Sequence, residues 1–145
     1  MTEAMTAMET IEQVIRIEAR RETVWDFWTD PARLCEWWGV EADAVVETGG
    51  LFRVVMESGP IMRGEFLELD PPRRLLFSFG WEGNESGTAL SPGSTRVEVV
   101  LDDQAGGTLL TLRHELPTTH APDHLKGWAF FVGDRLVELA RTTAR

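Results

Sequence analysis

Only one stretch of this sequence can form a long amphipathic helix, and it comes last. After Pro117, Leu125, Trp128, Val132, Leu136 and Leu139 recur at spacings of three and four, and Phe131 widens the apolar stripe. Between positions 41 and 116 the pattern has instead the period of two that puts alternate side chains on one face of a strand. A lone helix with so broad an apolar face must lie on something, and an antiparallel sheet with one apolar face needs a cover. Both demands are met by an α+β fold in which a curved antiparallel sheet of about six to seven strands wraps a long C-terminal helix.

The remaining elements follow from local signals. Residues 10–19 alternate Ile11, Ile15 and Ile17 against Glu12, Arg16 and Glu18, which predicts a first strand. Residues 21–29 place Val24, Trp25 and Trp28 at helical spacing, so Trp25 and Trp28 anchor a short helix to the core. Asp30-Pro31 supplies an N-cap and a proline at the first helical position, predicting a second short helix that runs to about Trp38 and stops at Gly39. Strands are expected over 43–48 and 51–58, joined at Gly49-Gly50, and from Gly59-Pro60 to Leu69, ending at Pro71-Pro72. Residues 74–81 follow with Leu75, Phe77, Phe79 and Trp81 on one face. Residues 82–94 read as a mobile loop, and 95–101 with 108–116 as a hairpin about Gly106-Gly107.

A chain of 145 residues suits one compact domain, expected over 10–143 with residues 1–9 as a flexible N-terminus. Its single cysteine, Cys35, cannot form an intramolecular disulfide. The opening MTEAMTAMETIEQ has neither the basic start nor the apolar run of a signal peptide, so membrane insertion is not expected and the cytoplasm is the default location. With 14 basic against 24 acidic residues and a formal net charge of -10, nucleic acid is excluded as a partner on electrostatic grounds.

The inward faces suggest where chemistry lies. Phe52, Val54, Met56, Met62, Phe66, Phe77, Phe79 and Trp81 on the strands would look towards Trp128, Phe131, Val132 and Arg135 on the helix, with Trp37 and Trp38 where the second helix turns into the sheet. Such a lining suits an apolar or aromatic small molecule, and the same residues would equally build a solid core. His114 alternates with Leu110 and Leu112 and so turns inward, while Arg135 lies one turn beyond Phe131. They are the groups expected to orient a carboxylate or phenol; the alternatives are a histidine bonded to a backbone carbonyl and an arginine paired with Glu138 or Asp134. No GxSxG elbow or other nucleophile motif is present, so no catalytic residue is assigned. His120 and His124 are four apart with Asp123 near by, but Pro122 interrupts the helix start and no third ligand is evident, so neither a metal nor a cofactor is expected. The paired glycines are hairpin turns, without the pattern of a phosphate loop.

Three separated motifs carry a resemblance. Val24-Trp25, Trp28-Thr29-Asp30-Pro31, Leu34 and Trp37-Trp38-Gly39 come first, then the strand ending Leu110-Thr111-Leu112-Arg113-His114, then His124-x-x-Gly127-Trp128 with Asp134-Arg135-Leu136. Over roughly residues 10 to 142 the chain resembles the family homologous to the activator of Hsp90 ATPase (AHSA1-like), within the START/Bet v 1-like (SRPBCC) helix-grip superfamily. The resemblance implies a cavity between the long helix and the concave sheet, open near the short helices and hairpin loops. Two functions follow as expectations: a hydrophobic small molecule held as by a carrier, sensor or polyketide cyclase/aromatase, or a co-chaperone surface docking on Hsp90. A homodimer is kept among the assemblies to be tested.

Overall fold

The computed structural model describes residues 7–83 and 90–143. Seven strands form one antiparallel sheet: β1 (Met8–Ile17), β2 (Glu41–Ala44), β3 (Leu51–Val55), β4 (Ile61–Asp70), β5 (Arg74–Phe79), β6 (Thr95–Gln104) and β7 (Gly107–Pro117), in the order β1-β7-β6-β5-β4-β3-β2. Two short helices, α1 (Arg21–Thr29) and α2 (Pro31–Trp37), follow β1. After a single turn at Thr118–His120, the C-terminal helix runs over 121–143. This is the helix-grip arrangement, with the core between sheet and helix. Among the described residues no helix is long and apolar enough to cross a membrane.

Several boundaries move for identifiable reasons. The first strand starts at Met8 rather than at position 10, because Met8 and Glu9 find partners in Pro117 and Leu116 of β7. Residues 1–6 of the expected flexible N-terminus lie outside the described residues, as does 84–89 of the expected loop. β2 ends at Ala44 because Val45, Glu47 and Gly50 bond among themselves and Gly49 takes a φ of 85°, making a turn where strand was expected. The β6–β7 hairpin turns on Ala105 and Gly106, with φ 49° and 88°, one residue earlier than the glycine pair suggested. Positive φ at both central residues is what a tight hairpin needs.

The C-terminal helix departs most from its periodic reading. Its middle segment, Ala129–Leu136, is π-helical, a wider turn flanked by α-helical Ala121–Trp128 and Val137–Thr143. The buried face is therefore Ala121, Trp128, Val132, Leu136 and Ala140, the last four at uniform steps of four. Leu125, expected in the stripe, is instead 38% exposed, and Leu139 is only partly buried.

α2 begins as the sequence indicates: the Asp30 side chain accepts the Ala32 N–H at 3.0 Å, and Pro31 occupies the first turn. The sheet's outward face carries a chain of charges across five strands, Glu12 to Arg113 to Glu98 to Arg74 to Glu68. Each exposed pair contributes little to stability, but together they keep that face polar.

Gly64 of β4 tests how tightly the sheet is drawn. A Cβ there would sit 1.7 Å from the Ser78 carbonyl oxygen on β5, where only backbone could yield. Gly64→Ala is expected to lower the urea unfolding free energy by roughly 3 kcal/mol or more; an unchanged midpoint would contradict this packing.

Candidate functional site

Beside the first turns of the C-terminal helix lies a cavity of about 240 Å³. One wall is helical, formed by Asp123, His124, Gly127, Trp128 and Phe131. Trp38 closes it from the end of α2, Met56 from the turn after β3, and Phe79 with Trp81 from the end of β5. Asp123, Gly127 and Phe131 are four apart, as are His124 and Trp128, so the helix turns these two rows towards the space. Gly127 keeps it open: a Cβ at this position would meet nothing within 4 Å. A helix-interior glycine costs roughly 1 kcal/mol relative to alanine, so the room is obtained at some expense in helix stability.

Two neutral histidines stand behind and beside the cavity. His114, fully buried on β7, accepts the Trp128 indole N–H on Nδ1 at 3.1 Å, which puts its own proton on Nε2. That proton goes to Thr95 Oγ1 at 2.9 Å, and the Thr95 hydroxyl donates onward to the Phe79 carbonyl at 2.9 Å. His124 accepts the Trp81 indole N–H on Nε2 at 3.1 Å and donates from Nδ1 to the His120 carbonyl at 2.8 Å. Burial, and secondarily the neighbouring His124, hold the His114 pKa down to about 3. Burial likewise lowers that of His124, against the opposing effect of its bond to the His120 carbonyl. Phe79 and His114 each contact the other and both His124 and Trp128 at ring-centroid distances of 4.6 to 6.1 Å, a packed aromatic cluster.

The expected lining residues separate into three groups. Trp38, Met56, Phe79, Trp81, Trp128 and Phe131 meet around the cavity. Trp37, Phe52, Val54, Met62, Phe66, Phe77 and Val132 have no exposed surface and form solid core. In that core Phe52 stacks on Phe66 at 4.5 Å, and the Trp37 indole donates to the Phe27 carbonyl at 2.8 Å. Trp37 and Trp38, adjacent residues that would diverge on a regular helix, stack at 5.4 Å because the helix ends at Trp37 and Trp38 is its cap. The third group holds the polar pair. Both His114 ring nitrogens are engaged by Trp128 and Thr95, neither by a backbone carbonyl. Arg135 lies outside the cavity, in an adjoining cleft that shares Trp38, Met56 and Phe131, with its guanidinium carbon 6.0 Å from the Phe130 ring centroid. Glu138, one partner considered for it, pairs with Arg141 instead. The lining residues that periodicity does not bring in are Asp123, His124 and Gly127, because the apolar pattern selects Leu125. Among the described residues no group of three or more His, Cys, Asp or Glu is placed to hold a metal.

Residues 18–141 match the family model described as activator of Hsp90 ATPase homolog 1-like protein, and the chain belongs to that family. An AHSA1-like protein from Rhizobium etli, solved in solution, is 37% identical over 97% of this chain and 86% of its own length, with a TM-score of 0.72. CalU16 from Micromonospora echinospora is 29% identical, covering 91% of this chain and 74% of its own, with a TM-score of 0.72. DynU16, described as a protein in the dynemicin biosynthetic locus, is 28% identical over 93% of this chain at a TM-score of 0.78; the match takes in about half, 48%, of DynU16. No curated protein matches the sequence.

The buried His114 contributes to acid stability. Because the folded His114 pKa lies below its ordinary value of 6.5, the unfolded state binds more protons between the two values. The His114 contribution to stability should therefore be flat above about pH 6.5 and fall as pH drops towards about 3, by up to about 1.4 kcal/mol per pH unit. Thermal unfolding across that range checks this, with His114→Asn expected to flatten the slope; an unchanged slope in the variant would remove His114 as its source.

Proposed function

We propose that this member of the AHSA1-like family binds a hydrophobic or aromatic small molecule in the cavity beside its C-terminal helix, as a carrier or sensor. The observation that carries the reading is Gly127. Five aromatic residues and a methionine surround a space into which Gly127 projects no side chain, beside a core whose residues are at most 8% exposed. Met56 suits such a site because an unbranched thioether adapts to differently shaped ligands.

Size narrows the ligand. At about 240 Å³ the cavity is smaller than the roughly 300–1,000 Å³ usual for drug-sized molecules, so one or two rings fit, and a longer molecule would continue past Met56 and Phe131 into the adjoining cleft. The place of DynU16 in a biosynthetic locus supports a small-molecule role of this kind. Hsp90 docking, which the family's name raises, has less support, since the outward sheet face is a lattice of charge pairs rather than an apolar patch.

Gly127→Leu is the direct test, since a Cβ at this position would meet nothing within 4 Å and the larger side chain takes room from the cavity it lines. The variant should keep the parental melting temperature or exceed it, and lose at least about tenfold in affinity for single-ring aromatics by tryptophan fluorescence titration. Equal affinity in a folded variant would place binding elsewhere, and an Hsp90 complex indifferent to the substitution would move the function to the outer surface.

A further inference from the structure

The chemistry around the cavity points to the kind of molecule it selects. Resting on the reading of this cavity as the ligand site, we propose that it prefers an organic cation, a substituted ammonium carried on or next to an aromatic ring, over a neutral or anionic analogue of the same shape.

Three features converge. The lining is chiefly aromatic, with Trp38, Trp81 and Trp128 contributing indoles and Phe79 and Phe131 phenyl rings. Indole and phenyl faces carry negative potential that attracts a cation, and several of them around one small space give the attraction a defined place. Next, the charge of the lining has one sign. Asp123 is its sole charged member and no lysine or arginine lines it. The guanidinium of Arg135 belongs to the adjoining cleft and lies over Phe130. The two histidines hold their protons within the network of Trp81, Trp128, Thr95 and the His120 carbonyl, and present no positive charge.

Last, few donors face an entering anion. Two of the three lining indoles, those of Trp81 and Trp128, donate to histidine nitrogens, which leaves a carboxylate only the Trp38 N–H among the indoles unless it displaces one of these bonds. A quaternary ammonium asks for no hydrogen bond and is weakly hydrated for its charge, so it enters without disturbing the network. The chain's formal net charge of -10 favours its approach as well.

The test uses three single-ring probes on the full chain, followed by tryptophan fluorescence at low salt: phenyltrimethylammonium, its uncharged isostere tert-butylbenzene, and the anion benzoate. Phenyltrimethylammonium should bind roughly tenfold more tightly than tert-butylbenzene, and benzoate more weakly than either. Asp123→Asn, an exposed position whose change leaves the core untouched, should weaken phenyltrimethylammonium about two- to fivefold and leave tert-butylbenzene unchanged. If tert-butylbenzene or benzoate binds as tightly as the cation, the charge preference is overturned while the cavity reading stands. If none of the three binds, both fall. Phenyltrimethylammonium binding that survives Gly127→Leu at full strength would overturn the assignment to this site.

Discussion

The indole of Trp128 joins the C-terminal helix to the sheet through one directional bond, its N–H donated to His114 Nδ1 of β7 at 3.1 Å. Around that bond the ring lies 6.2 Å from Trp28 of α1, 5.3 Å from Trp38 at the end of α2 and 5.9 Å from Phe79 of β5. Four other elements thus meet on one helical side chain. Apolar packing alone would let the helix slide or rotate over a greasy sheet, because burial is not directional. A buried donor that must find its acceptor fixes both the rotation and the axial position of the helix.

The cavity follows from that constraint. Once Trp128 is pinned, the residues one turn before and after it, His124 and Phe131, are held at fixed distances from Phe79 and Trp81. Large flat rings cannot fold into the remaining gap, and Gly127 offers no side chain to fill it. The same pinning explains why His114 serves as framework: an imidazole that accepts from one side chain and donates to another has no ring nitrogen left for a ligand. Its depressed pKa is the electrostatic trace of that burial. The polar groups that do border the space, His124 and Asp123, both come from the first turns of the helix, and with both His124 nitrogens engaged Asp123 is the one that carries charge there.

Much of the fold is legible in the sequence because burial there is regular. Residues 21–29 form a helix over the expected span, Asp30 caps the next, and the alternation that turns His114 inward is seen in its complete burial. Six expected lining residues do meet at the cavity. The rest was hidden for physical reasons. Alternation reports which face a side chain takes but not whether that face ends in packed core or open space, so Phe52 and Phe79 look equivalent in the sequence and are not. The π-helical segment changes the helical step after Trp128 and sends Arg135 outward to the neighbouring cleft, a shift that a uniform period of 3.6 cannot anticipate. His124 enters the inner row because its ring bonds to Trp81, a contact across 43 positions that no local pattern encodes.

The indole signals of an isotope-labelled sample give the most direct view of the central claim, because the six tryptophans are distributed between the cavity and its surroundings. Two-dimensional proton–nitrogen spectra recorded during titration with phenyltrimethylammonium should show Trp38, Trp81 and Trp128 shifting saturably together. Trp25, which does not line the cavity, should stay in place. Shifts confined to Trp25, or an unchanged set of indole signals at saturating probe, would contradict the account and return the aromatic cluster to the role of core alone.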